Sequence, residues 1–548
     1  MAPLMFGGLV LFMLIGFPVT FSLAAVGLFF GFIAIESGYF EFSFMQALPE
    51  RVFGIISNDT LLAIPFFTLM GAILERCGLA EDLLDGLGQL FGPIPGGLGY
   101  AVIIVGAILG AITGTVAASV IAMGLISLPV MMRYGYDQRF ATGVIAASGT
   151  ITQLIPPSLV LIVLADVLGR SVGDMYAGAW GPSVVQVLLF SAYVLLVSII
   201  KPQWVPGIPK SSRTLHGWPL VKKCLWGIVP SAVLIFLVLG TIFLGLATPT
   251  EAGAMGTVGA IALAVVHHPE FSRHGRIAAW IALATISTIC VPASLMLATE
   301  SMPALAGAAR GFFEQVRAPL FVVFYLGLAV VMWEGVRITK LRALIWQASQ
   351  NTMRITAMVL FILIGSTIFV LVFRGVDGDP FIEHLLSHLP GGAVGFLIFV
   401  NVFVFFLAFF LDFFEIAFII VPLLAPVAAK LGIDLIWFGV LLCVNMQTSF
   451  MHPPFGFALF YLRSIAPKEI KSSAIYWGAI PWVVLQIIMV GIVIAWPGLV
   501  TFMLDKPSGV DPATIKIELP QTEYQQDQER NEKEGEEEAP PDFSTPKK

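Results

Sequence analysis

The sequence predicts an all-α polytopic membrane protein built from two inverted structural repeats with interrupted helices. Three observations carry that expectation: an excess of apolar residues, uncharged runs of bilayer-spanning length, and motifs that recur at a nearly constant offset. Of the 548 residues, 58% are hydrophobic and only 12% charged, whereas a soluble domain carries about 25% charged residues. The surplus apolar surface must face lipid. Ser183–Ile200, Leu225–Leu246 and Trp482–Trp496 hold no charge at all, and they approach the ~20 residues that a spanning helix needs. Strands of a membrane barrel would instead alternate in polarity over short segments.

Taken along the chain, residues 1–48 open with the apolar Leu4–Ile35. It is too long for the h-region of a cleaved signal and has no basic residue before it. It reads as a span, bent or split near Pro18. Residues 49–182 form the first repeat, 183–270 a central set of spans, and 271–342 an inserted pair of spans. Residues 343–466 form the second repeat, 467–504 a last span, and 505–548 a tail. That tail carries 12 acidic and 6 basic residues and no apolar periodicity, a composition that cannot stabilise a packed core. It accounts for the whole net charge of −6, leaving the membrane part nearly neutral. Lys201, Lys210, Arg213, Lys222 and Lys223 cluster between two strong spans and place that loop in the cytoplasm. Counting spans from there also puts Arg273, Arg276, Arg337, Lys340 and Arg342 inside; Arg310 and Arg317 dissent. Cys77, Cys224, Cys290 and Cys443 are far apart, with no metal-ligand spacing.

The second half echoes the first. Ile94–Gly106 (IPGGLGYAVIIVG) returns as Leu389–Asn401 (LPGGAVGFLIFVN), and Leu128–Phe140 as Ala425–Trp437. Pro129, Gly135, Asp137 and Pro156-Pro157 each recur 297 residues later, as Pro426, Gly432, Asp434 and Pro453-Pro454. Arg133 and Arg139 mark one copy of the central loop, Lys430 with Asp434 the other; this asymmetry of charge favours opposite orientations. A Pro-Pro pair within an apolar stretch removes helix hydrogen bonds, so a helix should break there in each copy. Breaks at matching positions of inverted repeats point to a transporter's binding site, because opened backbone in a bilayer must face protein, ion or water.

Polar residues collect near those breaks. Ser57-Asn58-Asp59-Thr60 precedes an apolar run as a hairpin tip or helix start. Thr113-Gly114-Thr115 sits inside the otherwise apolar Val102–Met123, read as one helix. Ser148-Gly149-Thr150 and Gln153 precede Pro156-Pro157; Asn445, Gln447, Thr448 and Ser449 precede Pro453-Pro454; Ser366-Thr367 follows Gly365. Neutral oxygens beside opened carbonyls suit Na⁺, although hydroxyls in helices also bond back to their own backbone or join neighbouring helices. Asp412 and Glu415, flanked by long apolar stretches, stand at i, i+3 and would share a helix face. Charges at mid-membrane are costly and usually functional, the alternatives being an interfacial position or a structural pair. His452, just before the second break, is either a titrating or anion-donating group or a satisfied buried histidine. No HExxH, GxSxG or Walker A motif competes, which argues against an enzyme and against ATP drive from this chain.

Several of these segments together resemble one family. IPFFTLMGAIL (Ile64–Leu74), Pro129–Ala141, SGT…LIPPS (Ser148–Ser158), ATPTEAGAMG (Ala247–Gly256), the Asp412 region and NMQTSFMHPPFG (Asn445–Gly456) resemble the large membrane subunit, DctM type, of TRAP transporters. The resemblance spans about residues 1–500. It implies an ion-transporter-superfamily, elevator-type fold with a re-entrant hairpin and a discontinuous helix in each inverted repeat. It implies Na⁺ as the coupling ion, with no other metal or cofactor and no nucleic acid. A small four-helix membrane subunit (DctQ type) and a periplasmic binding protein (DctP type) would be its partners, and an organic acid its substrate. It places Na⁺ ligands at Thr113–Thr115, Ser148–Thr150 and the Pro156 break, with second-half counterparts around Ser366, Asn445, Thr448 and Pro453. The substrate would lie between the two breaks, where Asn58, Asp59, Gln153, Asp412, Glu415, Gln447 and His452 are candidates for substrate binding or coupling. Thr248-Pro249-Thr250-Glu251 would start a scaffold helix. The chain departs from the family pattern in Ser449 and His452, where Gly and Thr are usual, and in about 70 extra residues between Glu270 and Lys340. A stand-alone anion carrier on the same scaffold is the competing function.

Overall fold

The computed structural model describes residues 1–209, 217–282, 285, 303–387, 389–409, 411–454 and 456–504. The acidic tail, Lys210, Arg213, Cys290 and residues 283–284 and 286–302 of the predicted insertion lie outside them. Among the described residues there is no strand, and nine helices are long and apolar enough to cross a membrane, or ten if the bent pair Phe42–Ile56 and Asp59–Arg76 counts as one span.

The N-terminal apolar stretch is two helices, α1 (Ala2–Ile15) and α2 (Val19–Glu36), parted where Gly16 turns to φ 94° and Pro18 caps α2. The first repeat follows: α3 (Leu48–Ile56), α4 (Asp59–Arg76), the amphipathic α5 (Leu79–Phe91), α6 (Gly97–Thr113), α7 (Val116–Arg133), α8 (Gln138–Thr150), α9 (Leu159–Leu168) and the long α10 (Val172–Ile200). Between the repeats stand α11 (Trp218–Ile235), α12 (Pro249–His267) and α13 (Pro303–Arg337), and residues 273–282 are helical as well. α12 opens with the expected helix start, a capping box between Thr248 and Glu251. The second repeat comprises α14 (Thr339–Gly375), α15 (Gly378–Ser387), α16 (Gly392–Leu407), α17 (Phe413–Lys430), α18 (Leu435–Met446), α19 (Phe457–Ile465) and α20 (Ser472–Ala495).

The duplication is visible in the caps. α8 and α18 start 297 residues apart, and their N-caps Asp137 and Asp434 each accept from backbone amides of the first turn. α7 and α17 also start 297 residues apart, after Thr115 and Asp412. The two copies run in opposite directions. Gln153 Nε2 donates to the Cys443 carbonyl at 3.1 Å, while Leu168 lies against Gly439. As the chain advances from 153 to 168, its neighbour therefore recedes from 443 to 439, so α9 is antiparallel to α18.

The halves interlock. α2 packs along α14, and α12 packs along α4. Both seams rest on glycine. Between α2 and α14 a Cβ at Gly365 would sit 2.6 Å from the Thr20 carbonyl and one at Gly27 3.0 Å from the Phe369 amide; between α12 and α4 one at Gly253 would sit 3.0 Å from the Phe66 Cβ. Thr257 Oγ1 donates to the Phe66 carbonyl at 2.8 Å, joining α12 to α4. α5, which is not among the candidate spans, is clamped to α11 by the Lys223–Asp85 ion pair. Burial pushes the Asp85 carboxyl up, but hydrogen bonds from Lys223 and Gln89 outweigh it and hold the group below its usual range.

Where α8 crosses α20, fully buried Trp482 meets Phe190 at 5.1 Å and Tyr193 at 5.0 Å, both edge-on. The helices approach so closely that a Cβ at Gly143 would stand 2.2 Å from the Gly478 carbonyl. Backbone cannot swing aside as a side chain can. Gly143→Val is therefore expected to cost about 1–3 kcal/mol or more by overpacking, read as a lowered thermal midpoint of the detergent-purified chain; an unchanged midpoint would refute this close crossing.

Candidate functional site

α6 and α7 form a hairpin rather than the single helix expected over Val102–Met123. Gly114 is left-handed at φ 63° and Thr115 is extended, so the chain reverses at this point. The reason is local: Gly114 enters a region closed to most residues, and a following extended residue cannot continue a helix. The tip packs on the first break. A Cβ at Gly106 would lie 2.9 Å from the Ser148 carbonyl, and one at Gly110 2.9 Å from the Thr152 Cα. Thr152 Oγ1 donates to Ser119 Oγ at 3.0 Å, and Gly114 lies beside Leu159.

At the first break α8 gives way to a turn of 3₁₀ helix, Ile151–Gln153, and then to the cis Pro156-Pro157 pair. Ser148 Oγ donates back to Ile145 at 2.9 Å and Thr150 Oγ1 to Ala147 at 2.8 Å. Their oxygens still have lone pairs to offer, and Thr150 Oγ1 accepts from Gln486 Nε2 at 3.0 Å. The opened carbonyls are met by side chains: Ser158 Oγ donates to Gln153, and Ser183 Oγ to Leu154 at 3.2 Å.

The second site repeats this plan with different groups. α16 and α17 form a hairpin whose tip is capped by Asp412, and α18 breaks through the 3₁₀ turn Gln447–Phe450 into cis Pro453-Pro454. Asp412 and Glu415 do not share a helix face. Asp412 is the N-cap, accepting from the Glu415 amide at 2.9 Å, while Glu415 accepts from the Asp412 amide at 3.0 Å. The i, i+3 spacing is a capping box, because the helix begins between the two residues instead of running through them. Asn445 Nδ2 donates to the Asn401 carbonyl at 2.7 Å and to Asn401 Oδ1 at 3.0 Å. Asn401 and Asn445 thus occupy the places of Gly106 and Ser148. The sequence reading missed Asn401 as a site residue, although it closes the echoed motif LPGGAVGFLIFVN. Thr448 and Ser449 donate back to Asn445 and Met446, both at 2.7 Å. His452 is buried between Phe409, stacked at 4.1 Å, and Phe405 at 4.4 Å, with the Ala408 backbone beside it.

The remaining predicted residues divide. Gln153 and Gln447 are both buried, each in the 3₁₀ turn of its break, and Gln153 Nε2 reaches the Cys443 carbonyl of α18. Asn58 caps α4 and donates to Asp166 Oδ1 at 2.7 Å, tying α4 to α9. Asp59 is exposed; its carbonyl accepts from Thr250 Oγ1 at 2.5 Å. Ser366 is not the counterpart of Thr113–Thr115, which the offset of 297 puts at the tip ending in Asp412. Its hydroxyl donates to the Phe418 carbonyl at 2.5 Å, inside the π-helical stretch Ile416–Ile420. Around both breaks the donors are neutral hydroxyl, amide and carbonyl oxygens. Among the described residues no three His, Cys, Asp or Glu side chains cluster as metal ligands. Such a set suits a hard cation and not a transition metal.

Comparison with known proteins agrees with this architecture. Residues 6–305 and 302–499 match the family described as tripartite ATP-independent periplasmic transporter, DctM component. The chain is 26% identical over 450 residues to the C4-dicarboxylate TRAP transporter large permease protein DctM of Pseudomonas aeruginosa, covering 82% of this chain and 87% of that one. It is 26% identical over 482 residues to the sialic acid TRAP transporter large permease protein SiaM of Vibrio cholerae, covering 88% and 93%. Its fold resembles the crystal structure of the Alcanivorax borkumensis YdaH transporter, described as having an unusual topology, with TM-score 0.50 and 15% identity over 83% of this chain and 88% of that one. With both repeats inside the matched residues, the chain belongs to the DctM family of TRAP transporter large permeases.

Proposed function

We propose that this permease imports an organic acid by Na⁺ symport across the bacterial inner membrane. It would work with a small four-helix membrane subunit of DctQ type and a periplasmic binding protein of DctP type. The observation that carries the reading is the pairing of each hairpin tip with a helix break, twice and in opposite orientations, around neutral oxygens. Na⁺ needs several oxygens but no full counter-charge. The first cation would take oxygens from Thr113–Thr115, Ser148–Thr150 and the Pro156 break. The second would take them from Asn401, Asn445, Thr448 and the Pro453 break, below the tip at Asp412. Substrate would bind between the breaks, facing the half-buried Thr115 and Asp412. Cation binding at either tip would order the hairpin and break that frame the substrate, so that Na⁺ favours the substrate-competent state; linkage then makes the coupling reciprocal. The names of relatives support an organic acid, since C4-dicarboxylate and sialic acid are carboxylates and isethionate is a sulfonate.

Uptake of a carboxylate into proteoliposomes holding this chain and its small subunit is expected to need both an inward Na⁺ gradient and the binding protein. Uptake without the binding protein would favour a stand-alone carrier, and uptake indifferent to Na⁺ would refute symport.

The capping box yields a second expectation. Asparagine caps helices nearly as well as aspartate, whereas alanine costs about 1 kcal/mol. Asp412→Asn should keep the Na⁺ dependence of uptake within about threefold of wild type, and Asp412→Ala should weaken it more, if the residue acts through its cap. Equal damage from both would show that the charge itself is used.

A further inference from the structure

Among the described residues four buried glutamines carry polar atoms that nothing satisfies, Gln153, Gln186, Gln447 and, at Oε1 alone, Gln486. Gln186 and Gln447 are each 0% exposed and Gln153 is 1% exposed. Both side-chain atoms of Gln186, both of Gln447, and Oε1 of Gln153 lack a hydrogen-bond partner. Each buried orphan of this kind is unfavourable, and five in one region require a common explanation.

They do lie in one region. Gln153 Nε2 reaches the Cys443 carbonyl, and Gln447 is one turn further along the same face of that chain segment. Ser183 Oγ donates to the Leu154 carbonyl, next to Gln153, and Gln186 is one turn beyond Ser183 on α10. The repeat symmetry gives the same answer independently. Gly478 of α20 packs on Arg139 and Thr142 of α8; 300 residues earlier, Gly178 of α10 packs on Ile436 and Val440 of α18. The two crossings are equivalent, with offsets of 300 for the long helix and 297 for the broken one. Under those offsets Gln486 corresponds to Gln186, and Thr150 to Gln447. Gln486 bonds Thr150 directly at 3.0 Å. Its counterpart, Gln186 with Gln447, makes no direct bond.

We propose that Gln153, Gln186 and Gln447 enclose a buried hydration site, where ordered water bridges the long helix of the first repeat to the break of the second. These three glutamines strand three amide oxygens and two amide nitrogens. A cation would satisfy the oxygens alone and leave both –NH₂ groups idle, and an anion would do the reverse. Water accepts and donates, and one or two molecules serve the whole set. Each break is thus held by a glutamine from the opposite repeat, the first by a direct bond and the second through solvent. The contact between Gln186 and Gln447 can then lengthen or shorten without rupturing a direct bond between those two side chains.

The test is a density map of the full chain in lipid nanodiscs at a resolution that resolves water, joined to a double-substitution cycle on the thermal midpoint. Density for water within hydrogen-bonding distance of both Gln186 and Gln447 is expected. A direct amide–amide bond with no such density, or a bound ion in its place, overturns the proposal. Gln186→Leu and Gln447→Leu should each lower the midpoint by about 2–4 °C, and the double variant should lose clearly less than their sum, because neither amide is then stranded. Strict additivity would mean that the side chains lie apart, and it overturns the proposal. Should the leucine variants fail to fold, Gln186→Cys with Gln447→Cys, with the four native cysteines replaced, should join through a short thiol cross-linker. Failure to join would equally overturn the proposal.

Discussion

Hydrocarbon offers no hydrogen bonds, and that single deficit governs this molecule. A helix can be opened inside a bilayer only where the freed amides and carbonyls find partners within the protein, an ion or enclosed water. The chain opens α8 and α18 completely and reverses two hairpins, so it must supply many such partners. It does so with small hydroxyl side chains. Ser158 and Ser183 meet the carbonyls of Gln153 and Leu154. Ser366 serves the Phe418 carbonyl inside a π-helical stretch. The capping box of Asp412 and Glu415 closes the amides of the second tip. Residues that look functional by composition are, in several cases, what keeps the opened backbone satisfied.

The two halves obey this constraint with different chemistry. In the first, glycine lets backbone meet backbone: Gly106 and Gly110 bring α6 onto the break without any side chain between. In the second, Asn401 stands in the place of Gly106 and Asn445 in that of Ser148, and hydrogen bonds replace contact between them. One tip is capped by Thr115, which makes no side-chain cap bond, and the other by Asp412, which does. A symmetric backbone therefore presents two unequal oxygen sets, one shaped mainly by main chain and one by amides. Aromatic packing of Phe405 and Phe409 on His452 adds a further difference at the second break alone.

Much of this architecture was legible in the sequence because it is periodic at long range. An offset of 297 fixed by proline, glycine and aspartate survives extensive change elsewhere, and each of those residue types marks a break, a turn or a cap. Loop charge suggested inversion, and the antiparallel run of α9 and α18 agrees. What composition hid was local. Thr113-Gly114-Thr115 lies in an unbroken apolar context, so nothing in hydropathy distinguishes a hairpin tip from a continuing helix; only the glycine hinted at it. The spacing of Asp412 and Glu415 fits a shared face and a capping box equally well until the helix start is known. Asn401 was passed over because one amide in an apolar helix has no pattern until its mate Asn445 is placed beside it. Gln186 and Gln486 were invisible for the same reason, since the relevant offset there is 300 and not 297.

The interlock of the halves has a consequence for how the protein is made. α2 finds its mate in α14, and α4 finds its mate in α12. The partner of α2 emerges roughly 320 residues later, which at ~5–20 residues per second is on the order of 15–60 s of synthesis. During that interval the glycine-lined face of α2 has only lipid, or a chaperone of the insertion machinery, to cover it. Assembly of the seam must await the second half, so a chain truncated between the repeats leaves an unfinished surface that quality control can recognise.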